Sequence, residues 1–235
     1  MDLSDPKLIR DLVVGMITLI LSIAVHEFGH AIVADKLGDR LPRYQGRVTL
    51  NPLVHADPIG TYALPIIGYV LTAASGSGAR IGFGWGKPVQ VNPPAFTRKL
   101  RMKTAHMLVS LAGPMMNFVF GTVILLVTFG VAKAGLIKNV EIAYALLNAV
   151  TLNYILMFFN LVPVPPLDGA AVLTGFMPDG FHRSMNRIAP YSFMILAALM
   201  FTPLSKAFVW PASKLFEFFA GLIGLYPALQ HSLWG

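Results

Sequence analysis

The sequence contains no cysteine, which excludes a disulfide framework, a thiolate metal site and a cysteine nucleophile. Charge is also scarce, because only 12% of the 235 residues are Asp, Glu, Lys or Arg, against roughly 25% in an ordinary soluble domain. Hydrophobic residues make up 55% of the chain, and its mean hydropathy is +0.65. A bundle surrounded by lipid needs few surface charges, so this composition predicts a membrane protein.

The positive charge of the chain is not evenly spread. The formal net charge is +7, which raises the question of nucleic-acid binding. However, many of the basic residues lie in two stretches between apolar segments, at positions 40–47 and 80–103. Cytoplasmic loops of membrane proteins concentrate Lys and Arg in this way. The charge therefore predicts membrane topology, with the lipid bilayer and no nucleic acid as a partner.

Three apolar segments are long enough to cross a membrane. Between Asp11 and Asp35 the only ionisable side chains are His26, Glu27 and His30, and a helix of that length spans about 30 Å of hydrocarbon. We expect this segment to be a retained helix, since no signal-peptide pattern precedes it. The other two segments, 104–132 and 142–167, lack Asp, Glu, Lys and Arg. The prolines at 163, 165 and 166 should end the last helix near position 160.

The remaining apolar segments are less regular. Residues 188–205 and 207–226 could form a C-terminal pair of spans, whereas the prolines and glycines of 58–79 favour a broken or re-entrant segment. Residues 82–92 have the pattern of a small β-hairpin or loop. We therefore expect an all-α polytopic membrane protein with about five to six transmembrane helices. No linker divides residues 1–235, so one domain is expected, with its catalytic core at about 8–178 and the helical pair at about 188–226.

One motif carries recognisable chemistry. His26-Glu27-Phe28-Gly29-His30 fits H-E-x-x-H, in which two imidazoles four residues apart share a helix face and can bind one zinc ion. The intervening carboxylate can act as a general base toward water that the metal activates. Ionisable groups at membrane depth are costly and usually functional. The motif therefore predicts peptide-bond hydrolysis with Zn²⁺ as cofactor.

A catalytic zinc site typically has a third protein ligand. The open candidates are His55, His106, His182, Asp57, Asp168 and Asp179. Asp168 is favoured among them because it follows a long uncharged segment and a proline-rich break, and it precedes a glycine. Structural roles are the more ordinary reading of His55 and His106, although His55 could also line a channel, cap a turn or bind metal.

The motifs together resemble one protein family. HEFGH in an apolar helix, AGPMMN and NLVPVPPLDG are similar to segments of the site-2 protease family of intramembrane metalloproteases, in particular its compact prokaryotic members. LNPLVHADPIGT and GWGKPVQVNP are also similar to segments of that family. The resemblance runs from Ala24 to Gly175 and does not extend to the C-terminal part of the chain.

The resemblance implies specific roles for matched positions. His26, His30 and Asp168 match the metal ligands, Glu27 the catalytic glutamate, and Asn160 an asparagine that assists the substrate or the oxyanion. Asn117 matches a further family position, for which helix packing is the ordinary reading. The implied activity is cleavage of peptide bonds in or near the transmembrane segments of membrane-protein substrates.

The site also constrains topology. His26, His30 and Asp168 can meet only if the first helix and the helix at 142–160 run in the same direction, with the helix at 104–132 opposed to both. The segment at 58–79 should then enter and return, or be undone by a second crossing. The basic stretches share one side, so the active site should face the cytoplasm across a prokaryotic plasma membrane.

Two other functional classes remain open. A permease or ion transporter could use intramembrane His, Glu and Asp as a substrate or proton path, with Pro and Gly breaks unwinding its helices. Alternatively, the chain could be a non-proteolytic, zinc-binding membrane scaffold of the same fold. Bound zinc would distinguish a metalloprotease from the transporter. Cleavage of a substrate would distinguish it from the scaffold.

Overall fold

All regular structure in the described residues is helical. The computed structural model describes residues 6–75, 84–178 and 180–234, and no strand occurs in these ranges. The α-helices are α1 Pro6–Lys36, α2 Leu41–Tyr44, α3 Pro52–His55, α4 Leu64–Ala74, α5 Met102–Lys133, α6 Val140–Asn160, α7 Asp168–Phe176, α8 Phe181–Ile188, α9 Ser192–Phe201, α10 Lys206–Leu222 and α11 Leu225–Trp234. A π-helical turn, Pro58–Ala63, runs into α4. The predicted all-α class is confirmed.

Three helices are long and apolar enough to cross a membrane. They are α1, α5 and α6, with 31, 32 and 21 residues. The third of them ends at Asn160, where prolines follow in the chain, as predicted. Each helix presents an apolar surface over a length that matches or exceeds a hydrocarbon core of about 30 Å.

The C-terminal region differs from expectation. In place of the two spans predicted for 188–205 and 207–226, helices Ala189–Phe201 and Pro203–Leu222 meet at an angle of 84°. Pro203 cannot continue the hydrogen-bond ladder of α9, and the Thr202 side chain instead accepts a bond from the Leu204 N–H. This bent pair counts as one broken span or a re-entrant loop. By length and composition, the described residues therefore contain three candidate spans, or up to four, and the predicted number of five to six is not confirmed.

The three long helices alternate in direction as the site requires. The short connection between Lys133 and Val140 makes α5 and α6 antiparallel neighbours. Arg10 of α1 forms an ion pair with Glu141, at the N-terminal end of α6, so these two helices run in the same direction. As a result, α5 packs between them and also contacts α7 and α11.

In its described part, the apolar segment after α3 runs toward the N-terminal end of α1. It lies along α1, and the hydroxyl of Tyr69 in α4 donates to the carbonyl of Leu8 at 2.9 Å. By Gly84 the chain is back beside Leu19, and by Gly86 it is beside Ile23. The predicted hairpin or loop begins at Gly82 and Phe83, which lie outside the described residues. Residues 84–92 form an extended loop along α1.

Candidate metal centre

The first helix presents the two histidines of the motif on one face. His26 and His30 lie one turn apart in α1, and their Nε2 atoms are 3.0 Å from each other. The ring planes are nearly perpendicular, at 83°. Two ring nitrogens therefore point at one volume beside the helix.

Asp168 completes the cluster from a different part of the chain. It is the first residue of α7, and its Oδ2 lies 3.2 Å from Nε2 of His26 and 3.3 Å from Nε2 of His30. Within the described residues these three side chains form the one group of His, Asp or Glu with metal-binding spacing. The preference for Asp168 as the third candidate thus agrees with the geometry.

Glycines allow the helices to approach closely enough for this cluster. A Cβ atom at Gly113 of α5 would lie 2.5 Å from Cε1 of His30 and 2.7 Å from Cε1 of His26. At Gly29 of α1 a Cβ would lie 2.7 Å from the carbonyl oxygen of Ala112. These separations are shorter than van der Waals contact, so α1 and α5 can pack in this way only with glycine at both positions.

The second nitrogen of each imidazole has its own partner. Nδ1 of His26 is 2.7 Å from Oδ1 of Asn117, and Nδ1 of His30 is 2.7 Å from the carbonyl oxygen of Val109. Both partners are acceptors, so both Nδ1 atoms carry the proton. In its neutral form, each ring therefore directs the lone pair of Nε2 toward Asp168.

This donor set fits zinc. When both rings are neutral, two Nε2 lone pairs and a carboxylate oxygen converge on one point. These three acceptors have no hydrogen to share, so a cation would satisfy them. Tetrahedral zinc with bonds of about 2.0–2.1 Å to nitrogen or oxygen places its ligand atoms roughly 3.3 Å apart. The observed separations of 3.0, 3.2 and 3.3 Å are close to this value. An N₂O set of this kind also leaves a fourth position for water or substrate.

Glu27 faces the same space and is held by the extended loop 84–92. Its side chain is 8% exposed, and Oε2 accepts the backbone N–H of Val89 at 3.0 Å. One carboxylate oxygen is thereby fixed, while the other, Oε1, has no hydrogen-bond partner in the part of the chain that the structure describes and can accept from a water molecule.

The loop that carries Val89 is itself held in place by hydrogen bonds. Arg47 is 5% exposed, and its guanidinium donates to the carbonyls of Val54, Lys87 and Pro88. Further along, the N–H of Asn92 donates to Oδ2 of Asp39 at 2.6 Å. A buried arginine and a buried aspartate therefore set the distance between this loop and Glu27.

A cavity of about 800 Å³ opens onto the cluster. Its lining includes the three ligand candidates, Glu27, Trp85, Val89, His106 and Asn160. The Asn160 side chain is anchored by a bond from Nδ2 to the carbonyl oxygen of Leu156 at 2.9 Å. The cavity therefore brings every predicted site residue to one space.

His106 also lines this cavity, whereas the remaining described candidates for a third ligand have structural partners. His55 is fully buried, and its Nε2 donates to the carbonyl of Thr49 at 2.8 Å. Burial lowers the pKa of this imidazole, which favours a neutral packing residue. Asp57 caps the π-helical turn through the N–H groups of Ile59 and Gly60. Asp179 and the side chain of His182 lie outside the described residues.

Some residues of the site were not predicted from the sequence. Packing was the expected role of Asn117, and its side chain also contacts the ligand candidate His26 directly. The sequence did contain a signal for this contact. An asparagine in the middle of an apolar helix indicates a polar neighbour, because a buried amide needs hydrogen-bond partners. The contributions of Val109 and Val89 come from backbone atoms, which no side-chain pattern reveals.

More than half of the chain resembles a known peptidase family. The pattern of Peptidase family M50 matches residues 14–145, which is more than half of the chain. This chain belongs to Peptidase family M50. The family is zinc-dependent, so the predicted cofactor, the peptidase class and the resemblance to site-2 proteases are confirmed. Its long apolar helices make this family M50 member an integral membrane protein.

Several relatives are similar over most of the chain. The "Putative zinc metalloprotease YwhC" of Bacillus subtilis is 35% identical over 202 residues, covering 83% of this chain and 84% of that protein. The "Putative zinc metalloprotease Rip2" of Mycolicibacterium smegmatis is 31% identical over 185 residues, covering 78% of this chain and 65% of that protein. The Rip2 of Mycobacterium tuberculosis H37Rv is 29% identical with the same coverage. No solved structure matches.

The glycine at the helix contact gives a direct test of the cluster. We expect Gly113→Ala to push the imidazoles apart and to lower zinc affinity by about tenfold or more, as loss of ligand orientation does in other sites. Gly130→Ala in the same helix is the matched control, because a Cβ there meets no atom within 4 Å. The test measures the zinc bound per purified chain of each variant in the presence of a competing chelator. Equal zinc affinity in both variants would contradict the geometry.

Proposed function

We propose that this family M50 peptidase cleaves peptide bonds within or beside the transmembrane segments of other membrane proteins. His26, His30 and Asp168 hold the zinc ion, and Glu27 acts as the general base. The observation that carries the proposal is the convergence of three metal-ligand atoms and a fixed carboxylate on one cavity of an apolar helix bundle.

The residues divide the chemistry between them. Zinc in this site supplies a Lewis acid that polarises the scissile carbonyl and lowers the pKa of water to about 7. Glu27 accepts the proton of the attacking water at Oε1, while the Val89 N–H holds Oε2. The same carboxyl then delivers the proton to the departing amine. The Asn117 and Val109 oxygens keep both histidines in the tautomer that can bind metal.

Asn160 is suited to the developing negative charge. Its Nδ2 uses one N–H on the Leu156 carbonyl, and in the described part of the chain the second N–H has no hydrogen-bond partner. An amide donor anchored in this way can bind the oxygen of the peptide as charge builds on it. We therefore assign Asn160 to the oxyanion or the substrate backbone.

The depth of the cluster supports a membrane substrate. His30 and His26 lie six and ten residues before Lys36, the end of α1, which corresponds to about 9 Å and 15 Å along the helix axis. A soluble protein could not easily reach that level of a bundle surrounded by lipid. A transmembrane segment could reach it once locally unwound, because an intact helix shields its own peptide bonds.

The basic loops suggest which side of the membrane the site faces. The stretches at 40–47 and 87–103 share the end of the bundle near the metal centre, while Lys133 and Lys138 lie at the other end. The concentration of Lys and Arg near the site supports a position at the cytoplasmic face of a prokaryotic plasma membrane. Residues 1–235 would then form one membrane-embedded unit, with α10 and α11 packed on α5 and α6.

The rival classes make different demands on the same residues. A transporter would use the carboxylate and imidazoles as a path for its substrate or for protons, and it would not depend on a fixed general base. A zinc-binding scaffold would keep the metal but cleave nothing. The hydrogen bond that orients Glu27 toward the cavity, with its second oxygen available, favours the peptidase.

Glutamine at position 27 tests the general base. Glu27→Gln keeps the size of the side chain but cannot accept the proton, so we expect cleavage to fall by about 10²–10⁴-fold while zinc remains bound. Glu217→Gln is the control, because this exposed residue pairs with Lys214 far from the cavity. The measurement compares membrane-protein fragments in cells that carry each variant. Undiminished fragments with Glu27→Gln would exclude the assignment.

The absence of native cysteine allows a clean test of orientation. Lys99→Cys and Lys138→Cys each introduce one exposed thiol, at opposite ends of the bundle. We expect a membrane-impermeant maleimide to label position 138 but not position 99 in intact cells, and both after lysis. The reverse pattern would place the site on the outer face.

A further inference from the structure

A chain of amide hydrogen bonds connects the metal centre to a helix that contributes no ligand. Asn153 of α6 is fully buried, and its Oδ1 accepts a hydrogen bond from Nδ2 of Asn117 at 3.1 Å. Asn117 in turn contacts Nδ1 of His26 through Oδ1. Asn153 therefore lies two hydrogen bonds away from a metal-binding imidazole.

The direction of every bond in this chain is set by backbone carbonyls. Nδ2 of Asn153 donates to the carbonyl of Ala149 at 2.9 Å, and Nδ2 of Asn117 donates also to the carbonyl of Ser22 at 3.1 Å. A carbonyl oxygen can only accept. Asn153 must therefore turn its own Oδ1 toward Asn117, and Asn117 must turn its Oδ1 toward His26.

We propose that Asn153 is a positioning residue for the metal site, because it holds Asn117 in the orientation that makes His26 a metal ligand. The inference rests on the proposed function, in which His26 binds zinc through Nε2. Without Asn153, the Asn117 amide loses one of the two acceptors that hold its NH₂ group away from the imidazole. A flipped Asn117 donates to Nδ1, moves the ring proton to Nε2 and removes the lone pair from the site.

The alternative is that Asn153 serves only helix packing. Its Cβ lies close to Gly121 of α5, and buried asparagines commonly bond across membrane helices. Packing alone predicts an effect on the stability of the bundle that is unrelated to zinc. Zinc affinity is therefore the measurement that separates the two roles.

Three variants isolate the contribution of Asn153. Asn153→Leu keeps the approximate shape but removes both hydrogen bonds. Asn153→Asp in its protonated form accepts from Asn117 and donates to the Ala149 carbonyl, so it restores the chain of bonds. Tyr154→Phe is the packing control, because it removes a buried bond from the neighbouring residue to Thr122 of α5 that does not lead to His26.

The experiment measures the zinc dissociation constant of each purified full-length variant by chelator competition, together with its Tm in detergent. We expect Asn153→Leu to raise the dissociation constant by about 10–100-fold, the range found when partners of metal-binding histidines are removed. Asn153→Asp and Tyr154→Phe should remain within about threefold of wild type, whatever their Tm, since neither disturbs the acceptor facing Asn117.

The outcomes distinguish this inference from the proposed function. If the wild-type chain binds zinc and Asn153→Leu binds it equally well, the positioning role is wrong while the metal site stands. The role is also wrong if Tyr154→Phe weakens zinc as much as Asn153→Leu. If Asn153→Leu does not fold, the comparison uses Asn153→Asp and Tyr154→Phe. A zinc affinity of Asn153→Asp far below that of Tyr154→Phe then overturns the positioning role of Asn153. A zinc affinity of Asn153→Asp close to the wild-type value supports that role. If the wild-type chain binds no zinc, the proposed function itself fails.

Discussion

The close approach of α1 and α5 is the constraint on which the site depends. Gly29 and Gly113 remove the two side-chain volumes that would keep these helices apart, and the histidines occupy the space that Gly113 leaves. Because lipid tails and apolar side chains are alike, helices in a membrane associate through such close packing and through hydrogen bonds rather than through hydrophobic burial. The same contact that stabilises the bundle thus creates the volume in which metal ligands can meet.

Polar groups in this volume are tolerated only because each has a fixed hydrogen-bond partner. The His26 and His30 rings, the Glu27 carboxylate and the Asn117 amide all bond to backbone atoms or to amides that backbone carbonyls orient. An unpaired polar group at this depth would cost several kcal/mol. What remains without a hydrogen-bond donor is the set of three acceptors that faces the cavity. In a zinc-dependent peptidase, a bound metal ion would satisfy these three acceptors.

Much of the site was predictable because its chemistry is encoded in side chains at defined spacing. Two histidines four residues apart define a helix face, and the proline break before Asp168 marks a helix end that must lie on the same side. The fold class followed from the long uncharged segments. The number of spans is not confirmed, since a proline such as Pro203 can lie either at the end of a helix or at a break where two helices meet at 84°. The bond from Val89 to Glu27 was equally hidden, because a backbone N–H leaves no mark in the sequence.

The metal centre requires that Asp168, which is far from the histidines in sequence, binds the same metal ion as they do. The most direct measurement is the zinc content of the purified chain and of Asp168→Ala, with Asp57→Ala as a control whose carboxylate caps a turn instead. We predict one zinc ion per chain in the wild type and the control, and loss of zinc in Asp168→Ala. Full zinc occupancy and unchanged affinity in Asp168→Ala would contradict the central claim.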